Sequence, residues 1–240
     1  MERQEKEEDI LTVEGLQVSY GKKNGRTPAL KGISFHMKRG EILGLAGESG
    51  CGKTTLVKAI LGMIKTDSGT VRHFSDHPQM IFQDPYSSLN PVKKIGWILE
   101  EPLKIKGGFH REERQKMVQE MLTRVGLDEK FCGRYPGQLS GGQRQRVSIA
   151  AALMLSPELL IADEPVSALD VTIQAQIVEL LLKLHKEMGL SILFISHDLR
   201  IIYQMCDRVL IMKEGRIIEE GDTQSIYFAP QQEYTKELLL

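Results

Sequence analysis

The sequence predicts an α/β fold, a mostly parallel sheet covered on both faces and interrupted by a helical insert. Two observations carry that expectation. Short apolar runs, "EILGLAG" (41–47), "ELLIAD" (158–163) and "SILFIS" (191–196), have the length and near-continuous hydrophobicity of strands buried on both faces. Between them lie stretches with helical spacing, and that alternation marks parallel strands joined by crossover helices.

In chain order, residues 1–9 read as a charged, solvated tail. "ILTVEGLQVSY" (10–20) and "ALKGISFHM" (29–37) alternate as half-buried strands do, with the turn-rich "GKKNGR" between them. After the strand at 41–47 a helix runs from Lys53 to Met63, and Gly69 to Gln83 holds two more short strands. From Pro85 to Leu155 the character becomes helical. "REERQKMVQEMLTRVG" sets Met117, Met121, Leu122 and Val125 on one face, and "GGQRQRVSIAAALML" is an alanine-rich helix. "TIQAQIVELLLKLHKEMG" (172–189) is a further helix. The expected organisation is a tail (1–9), a first core part (10–85), a helical subdomain (86–155) and a second core part (156–240) ending in a helix.

A length of 240 residues suits one sizeable α/β domain or a core with an inserted subdomain. Lys plus Arg number 31 against 32 Asp plus Glu, a near-neutral balance that argues against a dedicated duplex-binding surface. The three cysteines, Cys51, Cys132 and Cys206, form no CxxC, which fits a reducing, cytosolic setting. "MERQEKEEDI" lacks the apolar core of a secretory signal, and no run approaches the roughly 18 apolar residues of a membrane span. Work at a membrane would need another anchor.

Gly47, Gly52, Lys53 and Thr54 satisfy G-x-x-x-x-G-K-[ST], between a strand and a helix, which is the context that motif requires. The whole stretch, Gly47, Glu48, Ser49, Gly50, Cys51, Gly52, Lys53, Thr54 and Thr55, can turn backbone N–H groups around a phosphate at a helix N-terminus. Lys53 can reach the outer phosphates and the Thr54 hydroxyl can ligate Mg²⁺. Asp163 ends a buried apolar strand, where a carboxylate is expensive without a partner, and a Mg²⁺ ion is a good one. Glu164 beside it is placed to polarise a water; an acidic strand end facing solvent is the plainer alternative for both. "LSGGQRQR" (139–146) places Ser140, Gly141 and Gly142 before a long helix, as a second anion site or simply as a cap.

The order Tyr20, "GESGCGKTT", Gln83, "LSGGQ", "LLIADE", "SALD", His197 resembles the ATP-binding cassette ATPases of ABC transporters over residues 10 to 238. The resemblance implies a P-loop NTPase cassette with a mostly parallel core sheet, an antiparallel β part and an inserted helical subdomain. It implies ATP and Mg²⁺ as ligands and a head-to-tail pair of cassettes. Ser140, Gly141, Gly142 and Gln143 of one subunit then cap the γ-phosphate held by the other's P-loop. Tyr20 would stack on adenine, Gln83 would touch Mg²⁺ and the attacking water, Asp170 would sit at the interface and His197 would contact the γ-phosphate. Taken singly, Tyr20 reads as a strand-end core residue, Gln83 as surface, Asp170 as an N-cap and His197 as structural. His73 and His77 form H-x₃-H in a loop context that suits metal poorly.

"QDPYSSLNP" (83–91), "DEPVSALDV" (163–171) and "YTKELL" (234–239) are similar to the ATPases of bacterial oligopeptide, dipeptide and nickel importers. That likeness implies two membrane permease subunits, a second cassette (identical or not) and, indirectly, an extracytoplasmic substrate-binding protein, with no nucleic acid. It also implies a peripheral position on the cytoplasmic face of the inner membrane. Export, other cargo and the repair and chromosome-maintenance ATPases are the alternatives, although the insert here has neither sustained heptads nor paired CxxC. Ala151, where these relatives commonly carry Arg, and a short segment between Gly69 and Gln83 depart from the pattern away from any catalytic position.

Overall fold

A computed structural model of the chain describes residues 9–21, 25–84 and 88–239. The tail at 1–8, the centre of "GKKNGR" and 85–87 within "QDPYSSLNP" lie outside the described residues.

The chain opens with β1 (Asp9–Tyr20), β2 (Thr27–Lys38) and β3 (Ile42–Ala46), then α1 (Lys53–Ile60) and β4 (Ser68–His73). β5 (Gln79–Ile81), α2 (Ile95–Lys106), α3 (Arg111–Arg124) and α4 (Gly141–Leu153) follow. Next come β6 (Leu159–Asp163), α5 (Val171–Met188), β7 (Ser191–Ser196), α6 (Leu199–Met205), β8 (Arg208–Lys213), β9 (Arg216–Asp222), α7 (Thr223–Phe228) and α8 (Glu233–Leu238). They fall into two compact units, one within Met1–Pro78, Glu158–Glu164 and Gly189–Leu240, the other of Gln79–Pro157 and Pro165–Met188. The α/β expectation is borne out.

In the first unit β6, β7, β3 and β8 lie parallel in that order, and β9 adds an antiparallel edge. Every residue of β3, β6 and β7 is buried, as strands covered on both faces must be. A second, antiparallel sheet places β1 between β2 and β4. Its inward residues run Leu11, Val13, Leu16, Val18, breaking the two-residue period once. A bulge between Val13 and Leu16, with Gly15 at φ 57, restores the face. α1 stops at Ile60, short of Met63, because Gly62 at φ 66 turns the chain out of the helix. The hairpin between β8 and β9 turns on Glu214 (φ 47) and Gly215 (φ 79), the paired positive φ of a two-residue turn.

In the second unit Glu100 on α2 accepts from Arg114 on α3 at 2.8 Å and from Lys104 at 2.7 Å. The buried stripe of α3 is Val118, Met121 and Leu122, continued by Val125. Val118 thus takes the place expected of Met117, which is half-buried.

Candidate functional site

β3 delivers the chain, buried, to Gly47, and the following loop can exist only because glycine stands at its bends. Gly47 has φ 151, and a methyl there would lie 2.2 Å from the Met212 carbonyl oxygen. Gly52, at φ 114, precedes the first turn of α1. Glu48, Ser49 and Gly50 are exposed at the mouth.

Lys53 is buried, and its ammonium donates to the carbonyls of Gly47 at 2.7 Å and Glu48 at 2.9 Å. Two fixed acceptors hold the charge at the loop rather than in solvent. Burial pushes the Cys51 thiol up, against the pull of Lys53, so it stays a neutral packing group. Thr54 is exposed, while Thr55 meets the Tyr20 hydroxyl at 3.3 Å. Tyr20 is 48% exposed, so it stands beside the loop rather than in the core.

Asp163 closes β6 in a buried position. Burial first, and the Glu164 charge second, raise its carboxyl above the usual carboxylate range, against Lys53 and Lys58. Ionising a carboxyl buried in this way is costly unless a cation partners it, so Asp163 fits the chemistry of a metal ligand, and Thr54 belongs to the same compact unit. Glu164 sits in left-handed backbone at φ 45, with its N–H bonded to the Ile195 carbonyl at 3.0 Å. Nδ1 of His197, just beyond β7, lies 3.4 Å from Oε2 of Glu164. The sequence offered these two residues separately; the fold pairs them.

In the second unit Ser140 and Gln143 form a reciprocal capping box: Ser140 Oγ accepts from Gln143 N at 3.3 Å, and Gln143 Oε1 from Ser140 N at 3.0 Å. A methyl on Gly141 would lie 3.5 Å from Leu169, and one on Gly142 2.7 Å from Ile173. Asp170 caps α5, accepting from Ile173 N at 3.0 Å. The signature glycines and "SALD" are therefore neighbours. Gln83 is exposed. His73 gives its Nε2 to the Ile60 carbonyl at 2.8 Å.

One loop contact had no signal in the reading of single motifs. The Tyr234 hydroxyl on α8 accepts from Glu48 N at 3.0 Å. "YTKELL" marked only a likeness to importers, with no hint that its tyrosine reaches the P-loop.

A model of the ABC transporter family matches residues 30–167. The chain is 44% identical to the dipeptide transport ATP-binding protein DppF of Haemophilus influenzae, over 96% of this chain and 77% of that protein. This chain belongs to the ABC transporter ATP-binding family. The cassette is also 43% identical to the oligopeptide transport ATP-binding protein AppF of Bacillus subtilis, covering 92% of this chain and 72% of that one. Among solved structures it is similar to cbiO1 of Clostridium perfringens, part of the ABC transporter complex cbiONQ. There the TM-score is 0.82 at 33% identity, covering 92% of each chain. It is similar, too, to the dimeric cassette MJ0796 bound to ADP and Pi, with a TM-score of 0.80 at 30% identity, covering 89% and 99%. The cassette is accordingly an ATPase that couples ATP hydrolysis to transport, and the repair and chromosome class is not favoured.

Proposed function

We propose that this cassette is the ATP-hydrolysing subunit of a bacterial peptide importer. The likeness to the dipeptide-transport relative along nearly the whole chain carries the reading, and it supports peptide over nickel as cargo.

The N–H groups of the 47–55 loop and the first turn of α1 bind the triphosphate, with Lys53 as the charge clamp. Tyr20 stacks on adenine. Thr54 and Asp163, with Gln83 through water, would hold Mg²⁺, which when bound would neutralise negative charge on the phosphates. Glu164 accepts a proton from the attacking water, and His197 at 3.4 Å orients that carboxylate and reaches the γ-phosphate. The Ser140–Gln143 loop closes over the nucleotide of a second cassette, offering the N–H groups of Gly141 and Gly142, which lie outside both the capping box and the intrahelical ladder. Asp170 lines the same interface.

Among the described residues no helix is long and apolar enough to cross a membrane. The likeness to peptide-transport ATP-binding proteins supports two permease subunits that hold the cassette at the cytoplasmic face of the inner membrane, docking around 83–91, and an extracytoplasmic binding protein that delivers the peptide.

Glu164→Gln keeps side-chain size and Asp163 but loses the base. With the correct partner cassette present, it should bind ATP, cease turnover and elute as an ATP-dependent dimer of 27.1 kDa subunits. Adding Ser140→Arg should abolish the dimer. A Glu164→Gln protein that stays monomeric in ATP would refute the shared site. In proteoliposomes with the permeases and binding protein, peptide should stimulate ATP turnover; stimulation by nickel alone would overturn the cargo.

A further inference from the structure

The P-loop is braced from behind by residues more than 150 positions later in the chain. The turn between β8 and β9 donates Gly215 N to the Cys51 carbonyl at 2.8 Å. α8 adds Tyr234, 6% exposed, whose hydroxyl takes the N–H of Glu48 at 3.0 Å. The carbonyl of that same residue accepts from Lys53 Nζ at 2.9 Å and from Cys51 N at 3.3 Å. Glu48 is thus held on both sides of its α-carbon, by Tyr234 at its N–H and by Lys53 at its carbonyl.

Tyr234 is itself fixed. The Lys213 ammonium lies 4.3 Å from its ring centre. Glu219 on β9 accepts from Gln231 N at 2.7 Å, from Gln232 N at 3.2 Å and from the Thr235 hydroxyl, anchoring the start of α8. Burial pushes the Tyr234 phenol up, so the group stays neutral. A phenylalanine would fill the same space, so packing alone does not require the hydroxyl. Its partner is a P-loop amide.

We propose that Tyr234 is a positioning residue for the nucleotide site: its hydroxyl fixes the backbone at Glu48 and, through it, the Lys53 ammonium that receives the phosphates. A turned backbone at Glu48 would release Lys53 from one of its two carbonyl acceptors. The proposal rests on the P-loop being the phosphate site, and the test separates the two ideas.

The chain carries Tyr234→Phe, Thr235→Val or Lys53→Ala, and each is titrated with a fluorescent ATP analogue below its melting range. ATP turnover is measured alongside. Loss of one neutral hydrogen bond predicts that Tyr234→Phe raises Kd and KM for ATP by roughly three- to tenfold, with kcat within about twofold. Thr235→Val removes one of the three bonds to Glu219 but no contact to the P-loop, so it should lower Tm and raise Kd clearly less than Tyr234→Phe does. A wild-type Kd in Tyr234→Phe, with Lys53→Ala losing ATP, would overturn the role of Tyr234 alone. An equal rise in Kd for Thr235→Val would reduce Tyr234 to scaffold and overturn it too. Retention of ATP by Lys53→Ala would instead overturn the phosphate site itself.

Discussion

Replacing Gly47 by alanine tests whether the P-loop is pinned to the sheet by contact as tight as the geometry implies. The added methyl would sit 2.2 Å from the Met212 carbonyl oxygen and 2.9 Å from Cys51 Sγ, in backbone at φ 151. Unstrained carbon contacts lie at about 3.5–4 Å, so the loop or β8 must move by an ångström or more. β8 is paired on both sides, with β3 and β9, and cannot yield cheaply. Forcing alanine into that backbone region costs about 1–3 kcal/mol. The overpacking adds about 1–3 kcal/mol. The stiffer unfolded chain returns about 0.4–1 kcal/mol. The net loss is about 1–6 kcal/mol, a large share of the roughly 5–15 kcal/mol that domains possess. Gly40→Ala is the control: φ 68 with nothing within 4 Å of the new methyl, so the left-handed penalty of about 1–2 kcal/mol, less the same return from the unfolded chain, applies without overpacking. Urea denaturation without nucleotide measures both. If Gly47→Ala loses no more stability than Gly40→Ala, the steric argument fails.

Asp163→Asn should raise nucleotide-free stability at neutral pH while cutting Mg²⁺-dependent hydrolysis by about a hundredfold or more. The sign follows from burial, which lifts the folded carboxyl above its ordinary 3.8, so the folded chain holds the proton more tightly than the unfolded one. Stability from this group is present below that value and is lost as pH rises through the window above it; a wild-type melting curve insensitive to pH there would contradict the assignment. Tyr20→Ala should raise the KM for ATP about tenfold, the worth of one stacked base, and Tyr20→Phe should restore it. Equal KM values for Tyr20→Ala and wild type would remove Tyr20 from the site.

Much of this was legible because the decisive signals are local. β3, β6 and β7 announced themselves as apolar runs, since parallel strands bury both faces and need no alternation. The P-loop needs its glycines within a few residues of one another, so the motif lies in one stretch. Val118 was missed for Met117 because adjacent residues on a helix differ by only about 100°, and periodicity does not settle a stripe's edge. The β8–β9 hairpin did carry a signal, Glu214–Gly215 between apolar runs, of the sort that marks two-residue turns. Neither the Glu164–His197 pair nor the Tyr234 contact has any local trace, because each exists only once distant strands are side by side. The capping box at Ser140 was readable from S-x-x-Q, and the nearness of Ile173 to Gly142 was not.

The strand order has a consequence for how the chain is made. β3 and the P-loop leave the ribosome early, yet the strands on either side of β3 are β7 and β8, and Tyr234 follows Glu48 by 186 residues. At about 5–20 residues per second, roughly ten to forty seconds of synthesis separate the loop from its last brace. Until β7 (Ser191–Ser196) emerges, β3 is an apolar segment with two unpaired edges, a natural target for a chaperone. The Tyr234 contact to the P-loop can form only after α8 has emerged, long after the loop itself has been made.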